Sequence, residues 1–183
     1  NLLFTQVIHQ SVIYSSILEP LLIVNMTENM AAYMAGDPIP NIINMSMVPG
    51  FGMMGGSGST ICLVIATLLF SKYKPSRDIV KMAAIPGVFN INEPMIFGYP
   101  IVFNYALVIP FIAVPALGIT IAYVATALGL MNPCVVQIPW TTPPLVSGFL
   151  ATGGDWRAVV VQAIIIVLGV LIYLPFMKIS EKV

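Results

Sequence analysis

The sequence predicts an all-α integral membrane protein, built from transmembrane helices and two re-entrant hairpins. Three observations lead there. Apolar residues make up 58% of the chain and charged residues 8%, with a mean hydropathy of +0.97. A soluble domain carries roughly 25% charged residues, and 183 residues cannot hide this much apolar surface from water. Next, two long apolar segments qualify as spans, about 103–130 and 157–177, the latter close to the ~20 residues that a span needs. Finally, the pieces at 84–100 and 132–155 are rich in proline and glycine and too broken to cross. The formal charge of zero argues against a nucleic-acid partner.

Taken in order, residues 2–24 predict a first apolar helix with a polar stripe, since Gln6, His9 and Ser16 share one face. Such a stripe faces other helices or a cavity. From Asn25 to Asn44, Glu28, Asp37, Pro38 and Pro40 interrupt the pattern, predicting an interfacial helix followed by a turn. The run Pro49–Thr60 holds five glycines in twelve residues. It lacks the Walker lysine and fits no dinucleotide fingerprint, leaving close helix packing or a ligand-facing loop open. Residues 59–72 complete a span. The stretch from Lys72 to Lys81 then holds four of the seven basic residues and predicts a cytoplasmic loop. Lys178 and Lys182 place the C-terminus on the same side. An even number of crossings must separate the two, which holds if neither hairpin crosses. A chain that opens on Asn1 inside an apolar segment is expected to be a piece of a longer protein.

The first hairpin carries the central feature, Glu93. No lysine or arginine lies between Lys81 and Arg157, so Glu93 has no sequence-local ion partner. A carboxylate at membrane depth costs on the order of 3 kcal/mol, and such residues face a cavity or pathway. Gly87, Asn90, Asn92, Pro94 and Gly98 argue against a regular helix there. Broken backbone at that depth is tolerated only where it is buried in protein or lines a wet cavity. These are the properties of a site for a polar solute. In the second hairpin Trp140 lies between prolines, beside Thr141, Thr142 and Gln137. An interfacial anchor is the alternative reading, but hydroxyls and an amide beside an aromatic face suit a sugar. Trp156, at a helix start, fits the anchor better. Cys62 and Cys134 lack metal or CxxC spacing and are expected to be buried hydrophobes. No metal or cofactor is expected. A hydrolase is disfavoured: there is no nucleophile elbow, no HExxH and no second carboxylate near Glu93.

The run Gly87-Val-Phe-Asn-Ile-Asn-Glu-Pro-Met-Ile-Phe-Gly-Tyr-Pro100 resembles the signature of enzyme IIC, the membrane component of the bacterial phosphoenolpyruvate-dependent sugar phosphotransferase system. Within it, the lactose/cellobiose/chitobiose branch is the most similar. Ser15-Ser-Ile-Leu-Glu-Pro20, Asn29-Met-Ala-Ala32, Ile39-Pro-Asn41, Gly55-Gly-Ser-Gly-Ser-Thr60 and Pro139-Trp-Thr-Thr-Pro-Pro144 agree in the same order. The resemblance implies that residues 1–183 are the C-terminal, substrate-binding half of a sugar transporter in the bacterial cytoplasmic membrane. An N-terminal scaffold half, absent here, would carry the homodimer contacts. It also implies a disaccharide substrate, contact with membrane lipid, and enzyme IIB as the phosphocysteine donor.

Position by position, the resemblance implies Glu93 and His9 as the catalytic pair. Asn92 falls beside the sugar-binding glutamate, Trp140 on the aromatic that stacks a sugar ring, and Gly56 and Ser57 in the loop near the sugar. Asn90 and Thr141 are taken with them as sugar contacts. Phe4 stands where an aromatic platform is expected, a lipid-facing phenyl being the alternative. Two departures stand out: Val7 and Gln10 replace the family's glycines around the histidine, and Phe103-Asn-Tyr105 replaces Leu-Asn-Pro. The implied chemistry asks mainly for positioning and charge management. Glu93 would accept a hydrogen bond from the sugar 6-hydroxyl while His9 holds the same hydroxyl. The competing expectation is a facilitator or proton-coupled transporter with no phosphorylation, and a third is a fragment without activity of its own.

Overall fold

The computed structural model describes residues 14–99 and 101–181, and every described element is helical. A π-helical turn, Tyr14–Leu18, runs into α1 (Glu19–Ala35). Then come α2 (Met47–Gly52), a 3-10 turn (Ser57–Ser59), α3 (Ile61–Phe70) and α4 (Lys74–Val88). A second π-helical turn, Pro94–Gly98, precedes α5 (Tyr105–Ala127), α6 (Val146–Ala151) and α7 (Trp156–Ser180).

Helices α5 and α7 are the two described helices long and apolar enough to cross a membrane, close to the segments expected. The pair Met47–Ser59 and Ile61–Phe70, bent by 59°, is together long and apolar enough for a broken span or a re-entrant loop. That bend falls in the glycine-rich run. Helices α3, α5 and α7 form the centre, and at Gly169 they meet without room for a side chain. A Cβ added there would lie 2.5 Å from Cys62 Sγ and 2.9 Å from Val114 Cγ1. Cys62 and Cys134 are free and buried, as the apolar surroundings predict.

Two expectations about boundaries are corrected. The separate start expected at Asn25 is absent, since one helix runs from Glu19 through Asn25 and Glu28 to Ala35; the turn expected after the interfacial helix does follow it. Polar residues do not stop a helix while its backbone bonds form. Gly36 does, at φ 76°, where its N–H caps the carbonyls of Ala32 and Tyr33. The basic stretch from Lys72 is likewise no loop beyond Tyr73. Pro75 fits the first turn of α4, and Ser76, Val80, Ala83 and Gly87 recur at helical spacing on its buried face.

Candidate functional site

The first hairpin is α4, a sharp turn, and the short helix after it. The turn is a Schellman motif: Ile91 N–H donates to the Pro86 carbonyl at 3.0 Å and Asn90 N–H to Gly87 at 3.1 Å. Asn90 sits at φ +63°, a left-handed conformation that asparagine tolerates better than most residues. Gly87 therefore does not break the helix as expected. Helix α4 passes through Pro86 and Gly87, and the break falls at Phe89–Glu93.

The two asparagines of the break tie it to the rest of the site. Asn90 Oδ1 accepts from the Gly55 N–H at 2.7 Å, while its Nδ2 donates to the carbonyls of Trp140 at 2.6 Å and Thr142 at 3.0 Å. Asn92, buried, donates to the Ser57 carbonyl at 2.7 Å and to Thr60 Oγ1 at 3.1 Å. Thr60 in turn donates to the Gly55 carbonyl. The approach is so close that a Cβ at Gly56 would lie 2.5 Å from Asn92 Cγ, and Gly56 has φ +89°. The glycine-rich run thus serves both expected purposes at once: it packs tightly and faces the hairpin.

Glu93 follows directly. It is exposed and accepts no hydrogen bond from another described residue, while its backbone opens the turn Pro94–Gly98. Trp140 is 60% exposed, and Thr141 is half-buried. Of the residues singled out from sequence, the structure brings Asn90, Asn92, Ser57 and the Trp140 backbone into one bonded cluster, with Gly56 packed against Asn92. Glu93 stands at its edge. His9 and Phe4 lie outside the described residues.

The second hairpin is extended chain followed by α6, and other elements hold it. The Cys134 carbonyl accepts from both Asn29 Nδ2 and Asn44 Nδ2, each at 3.0 Å. Ser46 Oγ donates to the Val136 carbonyl at 2.8 Å and accepts from the Ile138 N–H at 3.3 Å. Gln162, in the second turn of α7, donates to the Gly50 carbonyl at 2.6 Å and Ser147 Oγ at 2.8 Å, and accepts from the Gly148 N–H at 3.0 Å. Tyr173 reaches the Gly58 carbonyl at 2.7 Å. These fully buried polar groups were not singled out from sequence. For Gln162 and Tyr173 the available signal was a lone amide or hydroxyl inside an apolar helix, which has to find a partner.

At the hairpin's base Asp155 caps α7 and pairs with Arg157 at 3.0 Å. Its other oxygen accepts from the Asn132 N–H at 2.7 Å, and Arg157 continues to Asn132 Oδ1 at 2.9 Å and the Gly129 carbonyl at 3.2 Å. Burial alone would raise the Asp155 pKa. The hydrogen bonds from Arg157 and the two backbone amides outweigh it and leave the group below the usual aspartate range.

Residues 2–115 match the family described as "Phosphotransferase system, EIIC". The chain belongs to this family. The EIIC chain is 38% identical, at a TM-score of 0.94, to the crystal structure of ChbC, the IIC component of an N,N'-diacetylchitobiose-specific phosphotransferase system. The match covers 98% of this chain and 42% of ChbC. It is 47% identical over 132 residues to the cellobiose-specific EIIC component of Lactococcus lactis, covering 72% of this chain and 27% of that protein. The lichenan permease IIC component of Bacillus subtilis is 38% identical over 176 residues, 96% of this chain and 39% of that protein. The EIIC chain therefore spans well under half the length of these relatives.

Proposed function

We propose that this EIIC chain binds a β-linked disaccharide, carries it across the bacterial cytoplasmic membrane, and presents its 6-hydroxyl for phosphorylation. The observation that carries this reading is Glu93. The neighbouring amide nitrogens of Asn90 and Asn92 are committed to protein carbonyls and a hydroxyl, whereas the Glu93 carboxylate is exposed with no bond from a described residue. It remains the acceptor available to a sugar hydroxyl. The exposed ring of Trp140 supplies an apolar face for the sugar's C–H groups, and Thr141, Gly56 and Ser57 flank the space. Similar proteins are named for cellobiose, lichenan, oligo-β-mannoside and diacetylchitobiose, which supports the substrate class.

In the proposed step the sugar 6-oxygen attacks phosphorus on the phosphocysteine of enzyme IIB. The S–P bond breaks, the thiolate leaves, and the hydroxyl proton passes to Glu93. His9 is assigned to hold the same hydroxyl. The phosphoryl group never rests on this chain. Contact with anionic or neutral lipid, and a homodimer formed through the portion of the relatives that this chain does not cover, belong to the same reading.

The test is phosphorylation of a β-disaccharide panel by the full-length transporter, with enzyme IIB and phosphoenolpyruvate, against a Glu93→Gln variant. We expect one disaccharide to be phosphorylated saturably, and the variant to lose activity by at least about a hundredfold, within the usual span for an acid–base group. Sugar uptake that proceeds equally without enzyme IIB would overturn the reading in favour of a facilitator.

A further inference from the structure

The Asn90 side chain joins three segments that are far apart in sequence. Its carbonyl oxygen holds the glycine-rich loop at Gly55, and its two amide hydrogens hold the second hairpin at Trp140 and Thr142. An amide nitrogen has two hydrogens to give, so both donors are spent. Its backbone cannot swing away, because residue 90 is also the left-handed stop of α4, and Ile91 closes the turn onto Pro86. The Schellman geometry therefore aims the amide at the second hairpin, and the amide sets where the Trp140 backbone stands.

We propose that Asn90 is a positioning residue of the sugar site, one that fixes the Trp140 platform relative to the Glu93 hairpin without itself touching sugar. The inference rests on the function proposed above, with a change of role for Asn90 from sugar contact to joint. Its loss should loosen the grip on the sugar ring more than it impairs the hydroxyl chemistry, since Glu93 lies on the other side of the break and keeps its own turn. Affinity for the sugar and turnover should therefore separate. A residue needed only for folding would lower the amount of active transporter and leave KM unchanged.

The experiment uses the full-length transporter with enzyme IIB and the disaccharide it phosphorylates best. Asn90→Gly keeps the left-handed backbone and removes the amide; Asn90→Asp keeps the shape and turns two donors into acceptors facing carbonyls. We expect KM to rise about tenfold or more in either variant, as for the loss of two hydrogen bonds, with kcat changed less than about threefold. A double-mutant cycle with Trp140→Phe adds the decisive readout: if Asn90 acts through Trp140, its KM penalty shrinks in that background. An unchanged KM in Asn90→Gly and Asn90→Asp, or a penalty that persists undiminished beside Trp140→Phe, would overturn the inference. Absence of saturable disaccharide phosphorylation in the unsubstituted transporter would instead count against the function itself.

Discussion

The two broken hairpins solve one problem in opposite ways. Each must satisfy irregular backbone within a membrane protein, where an unpaired polar group is costly. The first hairpin does so mostly with its own residues: Asn90 stops the helix, and Asn90 and Asn92 reach outward to fasten the glycine-rich loop and the second hairpin. The second contributes carbonyls and amides, and other elements bring the side chains: Asn29 from α1, Asn44 and Ser46 from the segment after it, Gln162 from α7. One hairpin holds; the other is held. The chemistry proposed above is carried by the one that holds.

Substitutions can break this contrast from either side. The largest effect is expected from Gly56→Ala. A methyl group there meets Asn92 Cγ at 2.5 Å on a backbone at φ +89°, so the loop and the first hairpin must separate. Sugar phosphorylation should fall by about a hundredfold or more, with destabilisation of about 2–4 kcal/mol from strain and lost bonds; activity and thermal-melting measurements on the same sample check both. Asn44→Leu tests the held hairpin. It removes a donor to Cys134 and an acceptor for the N–H groups of Ser46 and Met47, all at a fully buried position. We expect a loss of about 2–3 kcal/mol with KM rising less than after Gly56→Ala. Equal effects on KM would erase the distinction between the hairpins.

The smallest effect concerns the base of the second hairpin. The folded pKa of Asp155 is depressed, so its stabilisation is fully present above the ordinary aspartate value. It disappears as pH falls through the lower folded value. Melting temperature should therefore drop on acidification below about pH 4, and Asp155→Asn should flatten that acid limb while lowering stability modestly at neutral pH. An unaltered acid limb in the variant would assign the transition to other carboxylates.

Much of this architecture was legible because membrane sequences carry long signals. Runs such as 103–130 are set by bilayer thickness, and the observed Tyr105–Ala127 trims only the ends. The broken segments were legible from Gly, Pro and Asn, and Glu93 from being a carboxylate with no local partner. What remained hidden was the partner of each polar side chain. Gln162 is an amide in an apolar helix, and nothing in its neighbours names Gly50 and Gly148, 112 and 14 residues away. Asn90 shows the same: the motif marks it as near the sugar, and nothing in it names Gly55, Trp140 and Thr142, the distant main-chain groups that it holds. Boundaries near Asn25 and Lys74 were missed because helix ends follow caps, here Gly36 and Pro75, rather than polarity.

The contact at Gly169 bears on how a site of this kind could ever change sides. With Cys62 and Val114 pressed against it, α3, α5 and α7 leave no room for a side chain at that level, and packed interiors deform in jumps and not by degrees. In the transport proposed above, that packing favours movement of the three helices as one body, so a cross-link between α3 and α7 beside Gly169 should leave transport intact.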